Sequence, residues 1–185
     1  MPRWIVLLAL LLLSAGGVMA QDTPFESVTL VGTVQSVLGC EGDWQPDCAA
    51  TYLTFDEEDQ LWQATFSLPA GEYEYKVAID NAWDISYGAN AEANGADIPL
   101  VLAEDADVQF FFDPGTGWVA DSVNFLIVNV PGNFQSEAGC PDDWSPGCLQ
   151  TWLQDADGDG VYTYSVGTLP AGSYEAKVAA NQSWD

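Results

Sequence analysis

Two of the three basic residues in this 185-residue chain share a spacing. Lys76 is followed seven residues later by Trp83, and Lys177 is followed at the same interval by Trp184. A lysine on the exposed face of a strand, with a tryptophan on the next turn, sets a hydrogen-bond donor beside a flat apolar platform. Sugar rings have apolar faces that stack on aromatic rings and hydroxyls that need partners, so this pair suits carbohydrate. A surface ion pair for the lysine and a lid over the core for the tryptophan are the alternative roles. Trp44 and Trp144 also recur, each between two cysteines eight positions apart, Cys40 with Cys48 and Cys140 with Cys148.

Catalytic constellations are harder to build. The chain has no histidine, which removes Ser-His and Cys-His nucleophile pairs and His-metal sites. Paired carboxylates could hydrolyse a glycoside, but among 28 acidic residues no pair stands out by sequence. A binding module is therefore expected, with no cofactor. Asp155-Ala156-Asp157-Gly158-Asp159-Gly160 places three carboxylates at alternate positions before glycines, like the opening of a calcium loop. Val166 stands where the bidentate Glu belongs, and the matching turn Asp56-Glu57-Glu58-Asp59 lacks the alternation. An acidic hairpin turn is the preferred reading, and no metal is assigned.

The elements that must position these residues follow from a repeat. Gly32 to Leu53 matches Gly132 to Leu153 with 11 identities in 22 positions, including both cysteines, the tryptophan and Pro46 with Pro146. Leu68 to Asp84 matches Leu169 to Asp185 with 11 identities in 17, at an offset longer by one. This is a tandem duplication. The first copy runs on from Ile85 to Trp118, whereas the second stops at the equivalent of Asp84, so a fragment of a longer protein is expected. The expected organisation is a first module over 21–121 and an incomplete second over 122–185. A second copy without its last strands would expose unpaired edges.

Period-two patterns bounded by turn residues define the strands. Trp62, Ala64, Phe66 and Leu68 fall on one face, as do Tyr73, Tyr75, Val77 and Ile79, with Leu68-Pro69-Ala70-Gly71 turning between them. With further strands near Val28 to Val31, Thr51 to Phe55, Ile98 to Leu102 and Val108 to Phe112, the pattern is an all-β, immunoglobulin-like sandwich.

Residues 1–20 read as a signal peptide, with Arg3 ahead of the apolar run Trp4 to Leu13 and small residues before Ala20. About ten apolar residues are too few to cross a hydrocarbon core, so no membrane span is expected. Beyond Ala20 the chain carries 28 acidic residues against Lys76 and Lys177, a formal charge of −26. That field repels phosphate backbones and anionic lipid, which excludes nucleic acid and acidic membranes as partners. A secreted location makes both cysteine pairs local disulfides, each worth about 2–3 kcal/mol in the chain-entropy model. Zinc is the rival, but it wants four ligands from a chain without histidine.

The segments Val130-Pro131-Gly132-Asn133-Phe134-Gln135-Ser136, the cysteine loop with Trp-x-Pro, Leu-Pro-Ala-Gly, and Tyr73-Glu74-Tyr75-Lys76-Val77-Ala78 running to Trp83-Asp84 resemble one known family. They are similar to the tandem β-sandwich X-modules of bacterial pullulanases and amylopullulanases, over the whole chain after the signal peptide. A more distant resemblance is to family-48 carbohydrate-binding modules, which hold glycogen and starch. That resemblance implies glucan contacts at Trp44, Lys76, Trp83 and Asn94 (or Asn90) in the first copy, and at Trp144, Lys177 and Trp184 in the second. The chain departs from that family in placing Trp44 inside a disulfide loop and in having Thr33-Val34 where the family has a polar residue and Phe. The resemblance implies α-glucan binding or spacing in a secreted amylolytic enzyme whose catalytic domain lies in the same full-length chain. A ligand-free spacer, and an aromatic surface for a protein partner, are the alternatives.

Overall fold

A computed structural model describes residues 25–185, so residues 1–20, expected to be a signal peptide, lie outside the described residues. Eight strands build the first copy: β1 Val28–Gly32, β2 Thr54–Asp56, β3 Leu61–Leu68, β4 Gly71–Ile79, β5 Ser86–Tyr87, β6 Ile98–Leu102, β7 Ala106–Phe112 and β8 Val119–Asp121. They form two antiparallel sheets. In one, β4 is central, with β1 along one edge and β5 and β6 along the other. The second runs β2-β3-β7-β8. Among the described residues the helical elements are short 3-10 turns, and none is long and apolar enough to cross a membrane.

Strand alternation decides what goes inside. Tyr73, Tyr75, Val77 and Ile79 of β4 meet Trp62, Leu68, Phe110 and Phe112 of the facing sheet, and all are buried in one core. The Tyr75 ring stands edge-on to Phe110 at 5.0 Å. Its hydroxyl donates to the Asp121 carboxylate at 2.6 Å, and that carboxylate also accepts from the Asn124 side chain and the Val123 and Asn124 amides. Burial, followed by the Asp121 charge, pushes the Tyr75 hydroxyl well above the ordinary tyrosine range. Gly32 is required where β1 crosses β4, because a Cβ there would collide with the Glu74 carbonyl.

The second copy reproduces the start of this plan. β9 Val128–Asn129 pairs with β10 Trp152–Leu153 and β11 Ala179–Ala180. The pairing of Gln154 with Thr163 repeats that of Thr54 with Gln63. Gly132 and Ala176 also form an isolated pairing, and among the described residues no strand is assigned between Leu153 and Ala179. Val77 is fully buried, whereas its counterpart Val178 is 68% exposed.

The copies are packed together. Leu61, Phe111, Trp118 and Ala120 lie on the outer face of the β2-β3-β7-β8 sheet, where they bury Ile127, Leu149 and Trp152 of the second copy in a separate apolar cluster. Phe111 meets Trp152 at 5.6 Å. Hydrogen bonds flank this seam, from Leu149 N to Asp59 Oδ1 at 2.7 Å, Gln150 Nε2 to the Glu58 carbonyl at 3.1 Å, and Gln154 Nε2 to Asp113 Oδ2 at 2.6 Å.

Candidate functional site

The turn between β4 and β5 carries Trp83. Asp80 and Asn81 both have left-handed backbones, with φ of 53° and 59°, and short polar side chains tolerate that conformation best. Asp80 also accepts the Glu26 and Ser27 amides, which ties the turn to the start of the module. Beyond it the Trp83 ring is 46% exposed, with Ile85 exposed close by. The second copy builds the same turn from Asn181 and Gln182, with φ of 50° and 58°, and leaves Trp184 50% exposed. A platform that is half out of water's reach and half open is what stacking on a sugar face needs.

The two lysines do different things. Lys76 projects from the outer face of β4 and is held by Asp97 Oδ1 at 2.6 Å and the Gly95 carbonyl at 2.8 Å. It therefore pins the 94–97 segment and is committed to protein partners. Asn94 sits beside it with φ of 55°, its amide bonded to the Ser86 carbonyl at 2.7 Å and its side-chain oxygen accepting from the Ser86 hydroxyl. Asn90, at φ 59°, lies on an exposed 3-10 turn. Lys177 lies 5.7 Å from the centroid of the Trp184 ring. In the first copy the lysine goes to the 94–97 loop.

Cysteine loops of the two copies are near-replicas. Disulfides close both, Cys40–Cys48 and Cys140–Cys148, with Cα separations of 5.9 and 6.0 Å. Inside, the Gln35 amide donates to the Gln45 carbonyl and the Thr51 hydroxyl and accepts the Gln45 amide, and Gln135 does the same with Ser145 and Thr151. Asp43 and Asp143 accept the Ser36 and Ser136 amides, each at 2.9 Å. Held this way, Trp44 and Trp144 both adopt left-handed backbones, φ 61° and 59°, a strained state for a bulky residue. Trp44 is half-buried and Trp144 is 36% exposed. The organising Gln, Asp and Thr residues escaped the reading by chemistry, yet all were among the identities of the repeat.

Asp155, Asp157 and Asp159 bring carboxylate oxygens within 4.8 Å of one another. Asp155 accepts the Asp159 and Gly160 amides and Asp159 accepts that of Val161, so two of the three already cap their own turn.

The first copy is an antiparallel two-sheet sandwich and the second a three-stranded antiparallel sheet, with Trp83 and Trp184 half-exposed at equivalent places. The model of the pullulanase X25 domain matches residues 27–119 and 127–185, and the chain belongs to that family. An amylopullulanase of Thermoanaerobacterium thermosulfurigenes is 40% identical over 104 residues, 56% of this chain and 6% of that protein. The amylopullulanase of Thermoanaerobacterium saccharolyticum is 41% identical over 87 residues, 47% of this chain and 7% of that protein. A pullulanase structure from Bacillus acidopullulyticus aligns over 84% of this chain and 16% of its own, with TM-score 0.49 and 29% identity. The chain thus matches only a small fraction of the length of these relatives.

Proposed function

We propose that the chain is a non-catalytic α-glucan-binding segment of a secreted amylolytic enzyme, with the catalytic domain elsewhere in the full-length protein. Membership of the pullulanase domain family by both copies carries this reading. The half-exposed Trp83 and Trp184 support it as stacking platforms, joined by Asn94 in the first copy and Lys177 in the second. Lys76 positions the Asn94 loop through Asp97 and Gly95. Burying one aromatic face is worth about 1.5–3 kcal/mol, less while the other face stays wet, so each module binds weakly. Two modules on one polymer gain by linkage.

Affinity electrophoresis in soluble starch, glycogen or pullulan tests the reading. Wild-type protein is retarded, Trp83→Ala less so, and the Trp83→Ala/Trp184→Ala pair runs as in a glucan-free gel. A folded wild type that migrates identically with and without glucan overturns it in favour of a spacer. The spacer reading has its own supporting observation, the apolar seam that fixes one copy against the other.

A further inference from the structure

The seam contains a titrating group in a position to control it. A cleft of about 470 Å³ opens between the copies, lined on one side by Asp56, Glu58, Asp59 and Gln63 and on the other by Asp142 and Gln182. Its lining holds four carboxylates and no cation. Asp59 is the one that bridges, accepting the Leu149 amide at the edge of the apolar cluster. Asp56 is spent on its own hairpin, accepting the Glu58 and Asp59 amides and the Gln63 side chain. Glu58, next to Asp59 in the turn, contributes its backbone carbonyl to Gln150. Across the cleft Asp142 is the facing charge, while Gln109, Ser145 and Gly147 are neutral.

We infer that the seam is an acid-tightened joint, closed most firmly when Asp59 is protonated and loosened when a charged Asp59 must be buried against the second copy. A neutral carboxyl still accepts the Leu149 amide through its carbonyl oxygen, so protonation keeps the bond and removes the cost of burying a charge. Burial, opposed by the Leu149 hydrogen bond and aided by Asp56 and Glu58, raises Asp59 from 3.8 to about 6. A carboxyl whose pKa is raised in the closed state holds its proton there at pH values where the open state has lost it. The Asp59 contribution is therefore full below pH 4, declines as pH rises through about 6, and is constant above. At neutral pH the edge of the seam at Leu149 opens more often, and in mild acid less often.

Amide exchange of the whole chain tests this, with Leu149 referenced to unstructured exchange rates at each pH. Protection at Leu149 is expected to fall about tenfold between pH 5 and 7.5, allowing for solvent screening of a partly exposed group. Protection at Val77 and Phe110 in the first core stays constant. Asp59→Asn keeps an acceptor without a charge and should hold Leu149 equally protected at both pH values. Glu58→Gln removes one neighbouring charge and should move the midpoint of the Leu149 amide titration to lower pH. Equal protection of wild-type Leu149 at both pH values overturns the inference, as does an Asp59→Asn protein that loses protection like wild type, or an unmoved midpoint in Glu58→Gln.

Discussion

The same loop ends differently in the two copies. Ala49, Ala50 and Tyr52 close the first cysteine loop, with both alanines exposed and the Tyr52 hydroxyl bonded to Asn81 on the Trp83 turn. Leu149, Gln150 and Trp152 occupy those places in the second, and Leu149 and Trp152 are 3% and 4% exposed against the first copy's outer sheet. One scaffold therefore does two jobs. Where the terminal side chains are small the loop meets water, and where they are large and apolar it becomes a plug for the neighbouring module. Duplication supplied the frame, and a few changes of side-chain volume on its rim made a joint.

The largest test of that contrast is truncation at the rim. Trp152→Ala should destabilise the chain by about 3–5 kcal/mol, the usual cost of emptying a buried aromatic site. Tyr52→Ala, half-exposed, should cost about 1 kcal/mol. Urea unfolding of both variants gives the comparison, and equal losses would mean that the seam contributes no more than the open loop.

Disulfide removal sharpens it next. Both loops have the same length, so the chain-entropy model gives each about 2–3 kcal/mol. Cys140 and Cys148 are 5% exposed beside the seam, whereas Cys40 and Cys48 are half-buried in an open loop. Cys140→Ser/Cys148→Ser should therefore lower the melting temperature further than Cys40→Ser/Cys48→Ser, because polar hydroxyls replace apolar sulfur in a buried place. Calorimetry decides the order.

The smallest expected effect concerns what the copies share. Gln35→Ala and Gln135→Ala each leave loop amides and carbonyls without their buried partner, at a cost of about 1–3 kcal/mol. Because the two glutamines share their bonds to the 45/145 backbone and the 51/151 hydroxyl, the two losses should agree to within about 0.5 kcal/mol. A clear inequality would show that the seam reaches into the loop's interior.

Much of the first module was legible before any coordinates. Alternation in Tyr73 to Ile79 and in Trp62 to Leu68 named the faces that meet in the core, because side chains of a strand alternate regardless of its neighbours. Strand β8 and the short β5 were missed, since two or three residues carry too little periodicity to register. At the candidate site the sequence located Lys76 and Trp83 but not their separation of roles, because Asp97 lies 21 positions away and only folding brings it to the lysine.

The sequence by itself determined the duplication, read by matching distant segments, and the strand faces, the cysteine loops and the turns, which are encoded within a few residues of one another. Only the tertiary structure decided that Lys76 is a strut for the 94–97 loop, and that Leu61, Phe111 and Trp118 face a neighbour instead of solvent. An outward-facing Leu on a strand reads as ordinary exposed surface. Whether it stays so depends on which distant residues the chain folds against it, and spacing along the sequence does not carry that information.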